Sequence, residues 1–304
     1  MPRTLAIANQ KGGVGKTTTA INLAACLAER GQRTLLIDLD PQANATSGLG
    51  LEKSSGNSVY QALLADANDG DAPKLRDLIQ KGPLENLDVI PSELDLAAAE
   101  VDVARAENYL QRFAQALAPL KANDPHDFII VDCPPSLGIL TMNALAAVDG
   151  IIIPMQCEYY ALEGLSVMLR LIEQLRSTAN PKLEITGIVM TMVTARTNLG
   201  AQVAAEVRLH FPEKIFNTTI PRTVRLAEAP SFGKPIILYD THSPAATAYR
   251  ALADELLQRF GSALVPNKGK SDLTSAEPIA NFPTPPADPP CAPVPTETQP
   301  VESN

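Results

Sequence analysis

The chain has 304 residues, 45% of them hydrophobic and 19% charged, with a formal net charge of −9, enough for one large domain or two small ones. It holds no uncharged apolar run near the ~18 residues that a membrane span needs, and no basic-then-apolar leader, so cytoplasm is the expected compartment. Four cysteines (Cys26, Cys133, Cys157, Cys291) and three histidines (His126, His210, His242) lie scattered without metal-ligand spacing, which points to buried thiols and not to a metal or cluster site.

In chain order, short and nearly continuous apolar runs alternate with longer helical patterns. Residues 4–9, 34–40, 87–90, 127–132, 150–154 and 184–193 read as strands covered on both faces, because they are rich in Ile, Leu and Val and bounded by turn residues. Residues 17–30, 93–118, 138–147, 161–176, 199–210 and 244–260 read as helices between them. This alternation predicts a doubly wound, mostly parallel α/β sheet flanked by helices over residues 1–264, with ligand loops at the carboxyl ends of the strands. From Val265 the texture changes: residues 265–304 carry 10 of the 26 prolines and no apolar periodicity. Such a segment buries too little surface to offset its ordering entropy and is expected to be a disordered, acidic tail.

The first strand runs into "QKGGVGKTTT" and then a helix, the context that a phosphate-binding loop requires. The pattern G-x-x-x-x-G-K-[ST] would place a glycine at position 10, where Gln10 stands, and a second lysine, Lys11, follows at once. Gly12, Gly13, Val14 and Gly15 let successive backbone amides converge on phosphate oxygens, and the helix N-terminus adds partial positive charge. Lys16 would reach the terminal phosphates, the Thr17 hydroxyl would ligate Mg²⁺, and Thr18 would add a phosphate contact. Two acidic strand ends suit the same site. Asp132 ends "IIVD" as a carboxylate behind Mg²⁺, while "LLIDLD" supplies Asp38 to support the metal shell or the loop and Asp40 beside the metal. Asp40, just beyond its strand and before Pro41, is the candidate for orienting or deprotonating an attacking water. Lys11 makes sense as a cation supplied in trans, as an arginine finger is.

Charge is unevenly spread: residues 1–181 carry net −8, residues 182–260 net +2 and residues 261–304 net −3. A polyanion-binding face should draw on the middle segment.

The motifs "KGGVGKTTT", "DLDPQANATSGLG", "IIVDCPPSLG", "NLGAQVAAEVR" and "IPRTVRLAEAPSFGKPI", in this order over residues 3–260, resemble the ParA/Soj family of DNA-partitioning ATPases. The resemblance implies a phosphate-loop NTPase fold with a deviant loop, whose early lysine (here Lys11) crosses to the partner's nucleotide in an ATP-sandwich homodimer. It implies ATP and Mg²⁺ as cofactors, a catalytic Asp40, a first switch loop around 40–48 and a second at 132–138. It also implies non-specific DNA binding by the ATP dimer, with Arg196 and Arg225 as candidates and Arg222 behind them, and Pro221 shaping an adenine pocket. Arginine suits that role because its fork grips phosphate in two places. Thr194 departs from the aspartate common at that position.

With no DNA-reading segment ahead of residue 3, the resemblance favours the short chromosomal subgroup. A ParB-like centromere-binding partner would then supply sequence recognition and stimulate hydrolysis, on the nucleoid. The alternative is a relative that positions another cargo there, such as a chemoreceptor cluster or carboxysome. A membrane-positioning relative would end in a basic amphipathic helix, and this acidic, proline-rich tail does not fit one.

Overall fold

The apolar runs become strands because each can be buried on both faces. The computed structural model describes residues 1–53, 58–65, 73–123, 125–158, 161–194 and 205–262. Its strands are β1 (Arg3–Ile7), β2 (Thr34–Asp38), β3 (Gln80–Lys81), β4 (Leu87–Ile90), β5 (Phe128–Asp132), β6 (Gly150–Gln156), β7 (Glu184–Val193) and β8 (Ile215–Pro221). They form one sheet in the order β3-β4-β2-β5-β1-β6-β7-β8. Every pairing is parallel except β3 with β4.

Side chains alternate across this sheet with period two. Ala6, Leu35, Ile37, Ile129 and Val131 join one apolar layer, and Leu5, Ile7, Leu36, Ile130 and Ile152 join the other. The helices that cover the two faces are α1 (Lys16–Glu29), α2 (Asn44–Gly48), α3 (Val59–Leu64), α4 (Ala99–Asp102), α5 (Arg112–Asn123), α6 (Ile139–Ala147), α7 (Ala161–Thr178), α8 over 205–210, α9 (Val224–Glu228), α10 (Ile236–Tyr239) and α11 (Pro244–Ser262). One layer takes Phe113 and Leu117 of α5 and Leu165, Met168 and Ile172 of α7. The opposite layer takes Leu23 and Leu27 of α1 and Tyr249 and Leu252 of α11.

Two expectations need correction. The pattern over 93–118 is not one helix: a 3₁₀ turn at Leu94–Ala98 leads into α4, a second at Val103–Arg105 follows, and α5 begins only at Arg112. Asn108 takes a left-handed conformation at φ 55°, and its carbonyl accepts the Gln111 amide at 2.7 Å, so the chain reverses where the apolar spacing suggested continuity. Strand β8 was not expected, because two of its seven positions, Asn217 and Thr219, are polar and exposed. The expected tail, residues 265–304, lies outside the described residues. Among the described residues no helix is long and apolar enough to cross a membrane.

Candidate nucleotide site

The parallel order places the carboxyl ends of β1, β2, β5, β6 and β7 along one edge of the sheet, where open α/β sheets hold their ligands. The loop after β1 is tied to its neighbours residue by residue. Asn9 donates from Nδ2 to the Pro154 carbonyl at 2.7 Å and accepts the Lys11 amide at 3.0 Å. Gly13 and Gly15 stand at φ 73° and 87°, which a side chain at either position would resist. Two carbonyls of this turn are occupied from outside: Thr191 Oγ1 donates to Val14 O at 2.8 Å, and Gln156 Nε2 donates to Gly13 O at 3.2 Å. Lys16 opens α1 and is buried, its ammonium donating to the Lys11 carbonyl at 2.9 Å. Burial lowers the Lys16 pKa, while the nearby carboxylates of Asp132 and Asp40 pull it back up.

The β2–β5 register sets Asp38 opposite Asp132. Both are fully buried, yet their surroundings differ. Asp38 is satisfied: Oδ1 accepts the Asp40 amide at 3.1 Å, and Oδ2 accepts the Thr46 amide at 2.8 Å and hydroxyl at 2.7 Å. Thr46 Oγ1 accepts the Ser92 amide at 2.9 Å, and Ser92 Oγ donates to the Asp40 carbonyl at 2.7 Å. A closed hydrogen-bonded circuit thus holds the loop that carries Asp40. Burial pushes the Asp38 pKa up to about 6 despite the Thr46 and Asp40 donors, and the charge of Asp40 adds to the rise.

Both carboxylate oxygens of Asp132 lack a hydrogen-bond partner among the described residues. Burial, then the charge of Asp38, raise its pKa well above the ordinary carboxylate value; the Thr17 hydroxyl and Lys16 ammonium pull the other way. An orphaned buried carboxylate beside a hydroxyl and a lysine suits a hard cation that keeps its waters and leans on phosphate oxygens. Among the described residues no group of three or more His, Cys, Asp or Glu side chains is arranged to hold a metal alone.

Between these groups lies a cleft of about 370 Å³. Gly12, Gly13, Gly15, Lys16, Thr17 and Thr18 form one wall; Asp40, Gln42 and Asn44 form another; Pro135 and Met192 close the rest. The structure therefore brings together the loop residues and Asp40, with Asp132 beneath. Val14 contributes only backbone, its side chain being buried.

Other expected residues lie elsewhere. Pro221 pairs with Val193 at the end of β8 and does not line the cleft. Arg222 is exposed, with its amide donating to the Val193 carbonyl at 3.2 Å. Arg225 is exposed on α9 and engaged by Glu228 at 3.3 Å, Asp240 at 3.7 Å and the Tyr239 ring at 5.9 Å. Arg196 lies outside the described residues, and Thr194 is exposed just past β7. Lys11 turns its ammonium away from the cleft to Glu158 at 2.5 Å.

Residues not singled out from sequence include Gln42, Asn44, Thr46, Ser92, Pro135, Glu158 and Met192. The first three and Pro135 fall inside quoted motifs, whereas Ser92, Glu158 and Met192 are brought in by strand order and carry no local signal. Met192 stands at φ 53°, unusual for its type, and its sulfur meets the Gln156 amide nitrogen at 2.6 Å.

Residues 2–185 match the family model described as AAA domain. The sporulation initiation inhibitor protein Soj of Bacillus subtilis is 52% identical over 257 residues, covering 84% of this chain and 98% of that protein. The chromosome partitioning protein ParA of Caulobacter vibrioides is 48% identical over 84% of this chain and 94% of its own length. A solved structure of cobyrinic acid a,c-diamide synthase from Mycobacterium smegmatis, with bound ADP and magnesium, superposes with a TM-score of 0.73 at 36% identity, covering 86% of this chain and 97% of that one. With its phosphate-loop architecture and near-full-length similarity to these relatives, the chain belongs to the Soj/ParA family of chromosome-partitioning proteins.

Proposed function

We propose that the chain is an Mg²⁺-dependent ATPase that forms an ATP-bridged homodimer, binds DNA without base preference, and lets go when a ParB-like partner stimulates hydrolysis. The observation that carries this reading is the cleft itself: a glycine-rich loop with a buried lysine, facing Asp40 across about 370 Å³, with the unpartnered Asp132 carboxylate beneath. In this reading Lys16 neutralises charge on the terminal phosphates, and the amides of Gly12 to Thr18 cradle them. Thr17, Asp40 and Asp132 would hold the Mg²⁺, which when bound offsets phosphate charge and fixes its orientation. Asp40 orients or deprotonates the attacking water. Lys11 serves the partner's nucleotide, so two half-sites close only around ATP.

Arg222 and Arg225, with Arg196, make the DNA-binding face. Phosphate contact without base readout gives binding that weakens steeply with salt. Amide synthesis, the activity in the Mycobacterium protein's name, rests on 36% identity, against 52% and 48% for the partitioning relatives. Phosphate release with Mg²⁺, plasmid DNA and a ParB-like protein tests the proposal. Stimulation by DNA and partner together, lost in Asp40→Ala, is the expected result. No release above background with either addition refutes it, and stimulation by a cargo adaptor but not a ParB-like protein transfers the activity to cargo positioning.

A further inference from the structure

The loop between Asp132 and α6 is the third wall of the cleft, and its far end is fixed by a residue that no motif names. Glu100, half-buried on α4, accepts the Ile139 amide through Oε2 at 2.7 Å. Ile139 is the first residue of α6, and Gly138 before it provides no side-chain cap. A carboxylate there satisfies one of the free amides of the helix start and opposes the positive end of its dipole. Gly138 is shaped to this contact: a Cβ on it would lie 2.5 Å from both Glu100 carboxylate oxygens. Its φ of −74° would admit any residue, so a side chain there would meet the Glu100 carboxylate and would have to push it aside.

The rest of the loop is held by the sheet and by α6. The Cys133 amide donates to the Ile7 carbonyl at 3.2 Å, and Thr141 Oγ1 donates to the Ser136 carbonyl at 2.6 Å. Pro134 and Pro135 stiffen the span between, and Pro135 faces the cleft. Glu100 is thus tied, through the first amide of α6, to the end of the loop that carries Pro135. We propose that Glu100 is a positioning residue for the ATPase reaction, acting through Gly138 and Ile139 on the loop 133–138. This rests on the ATPase reading above.

The test uses the full chain with Mg²⁺, ATP and plasmid DNA, reading kcat and KM for ATP, ADP affinity, and hydrogen exchange at the Ile139 amide. Glu100→Ala should lower kcat about tenfold, the scale expected when reacting groups are misplaced by less than an ångström, with KM and ADP affinity within about twofold. Glu100→Gln, whose amide oxygen can accept the same N–H, should recover most of kcat. Gly138→Ala, which displaces the carboxylate, should act like Glu100→Ala, and the double variant should be no worse than either single. Ile139 exchange should quicken in Glu100→Ala and stay slow in Glu100→Gln. Wild-type kcat in Glu100→Ala, equal loss in the Gln and Ala variants, or unchanged Ile139 exchange overturns the proposal. Absence of turnover in the wild type would instead sink the ATPase reading, and the exchange measurement would still judge the anchor.

Discussion

Lys11 and Glu158, 147 positions apart in sequence, form an ion pair at 2.5 Å. The backbone of the same lysine receives Lys16 at 2.9 Å. One loop therefore carries two lysines with opposite dispositions, Lys16 buried inward and Lys11 held outward by an exposed carboxylate. If Lys11 serves a partner's nucleotide, it must leave Glu158 first. Exposed pairs of this kind are worth about 0–1 kcal/mol. Glu158→Gln should leave thermal stability within a degree or two of wild type and lower the protein concentration for half-dimerisation in ATP by no more than about 30-fold, since a symmetric dimer gives up two such pairs. Sedimentation across a concentration series checks this; weaker dimerisation would mean that Glu158 contributes to the closed form.

Asp132 is a buried carboxylate without a partner, so the nucleotide-free fold carries the cost of its charge. Asp132→Asn should raise the melting temperature of the free protein by a few degrees while removing Mg²⁺-dependent turnover. The sign with pH follows from its raised pKa. The folded state holds a proton that the unfolded carboxylate, with a pKa of about 3.9, gives up, so wild-type stability falls as pH rises above about 4. Asp38, raised to about 6, acts in the same direction between about pH 4 and 6. The advantage of the variant over wild type should widen from pH 4 towards neutrality. Equal melting temperatures throughout would show that Asp132 is solvated or paired.

Thr46 gives its hydroxyl proton to Asp38 and accepts the Ser92 amide. Thr46→Val keeps the shape, strands the buried Ser92 amide and removes one of the three donors to Asp38, which keeps the residue-46 and Asp40 amides. The expected loss is about 2 kcal/mol, a fall of roughly 4–8 °C in Tm. Calorimetry reads the first effect and ATP turnover the second, since Asp40 hangs from the same circuit through Ser92. A variant as stable and active as wild type would dissolve that circuit's importance.

Arg222 and Arg225 should not contribute equally to DNA binding. Arg225 is shared among Glu228, Asp240 and Tyr239, whereas Arg222 has no side-chain hydrogen bond or ion pair among the described residues. In filter binding over a salt series with ATP, Arg222→Ala should lower the slope of log affinity against log salt by about 1, and Arg225→Ala by less. The reverse order would mean that Arg225 exchanges its partners for phosphate on binding.

The six strands expected from the sequence were legible because two-sided burial leaves a continuous apolar run, as in "DFIIVD" and "GIIIP". β8 was hidden by its exposed polar positions, and β3 is an exposed pair of residues at the sheet edge. The false helix over 93–118 arose because apolar spacing persists through a turn that Asn108 makes locally. In the candidate site, the loop and the strand-end aspartates could be singled out because a glycine-rich turn between strand and helix and acidic strand ends leave a local pattern, and the structure gathers the loop and Asp40 around one cleft. Glu158, Ser92 and Glu100 were not. Each reaches its target across dozens of residues through the fold, and a lone carboxylate or serine outside a motif looks like any other.

In the proposed dimer, ATP joins two copies of this chain through Lys11. Sedimentation velocity of wild type and Lys11→Ala, each with Mg²⁺ and ATP at matched concentration, tests it most directly. Wild type should double its mass while Lys11→Ala stays monomeric with an unchanged melting temperature. A wild type that remains monomeric in ATP, or a Lys11→Ala variant that dimerises as well as wild type, would contradict it.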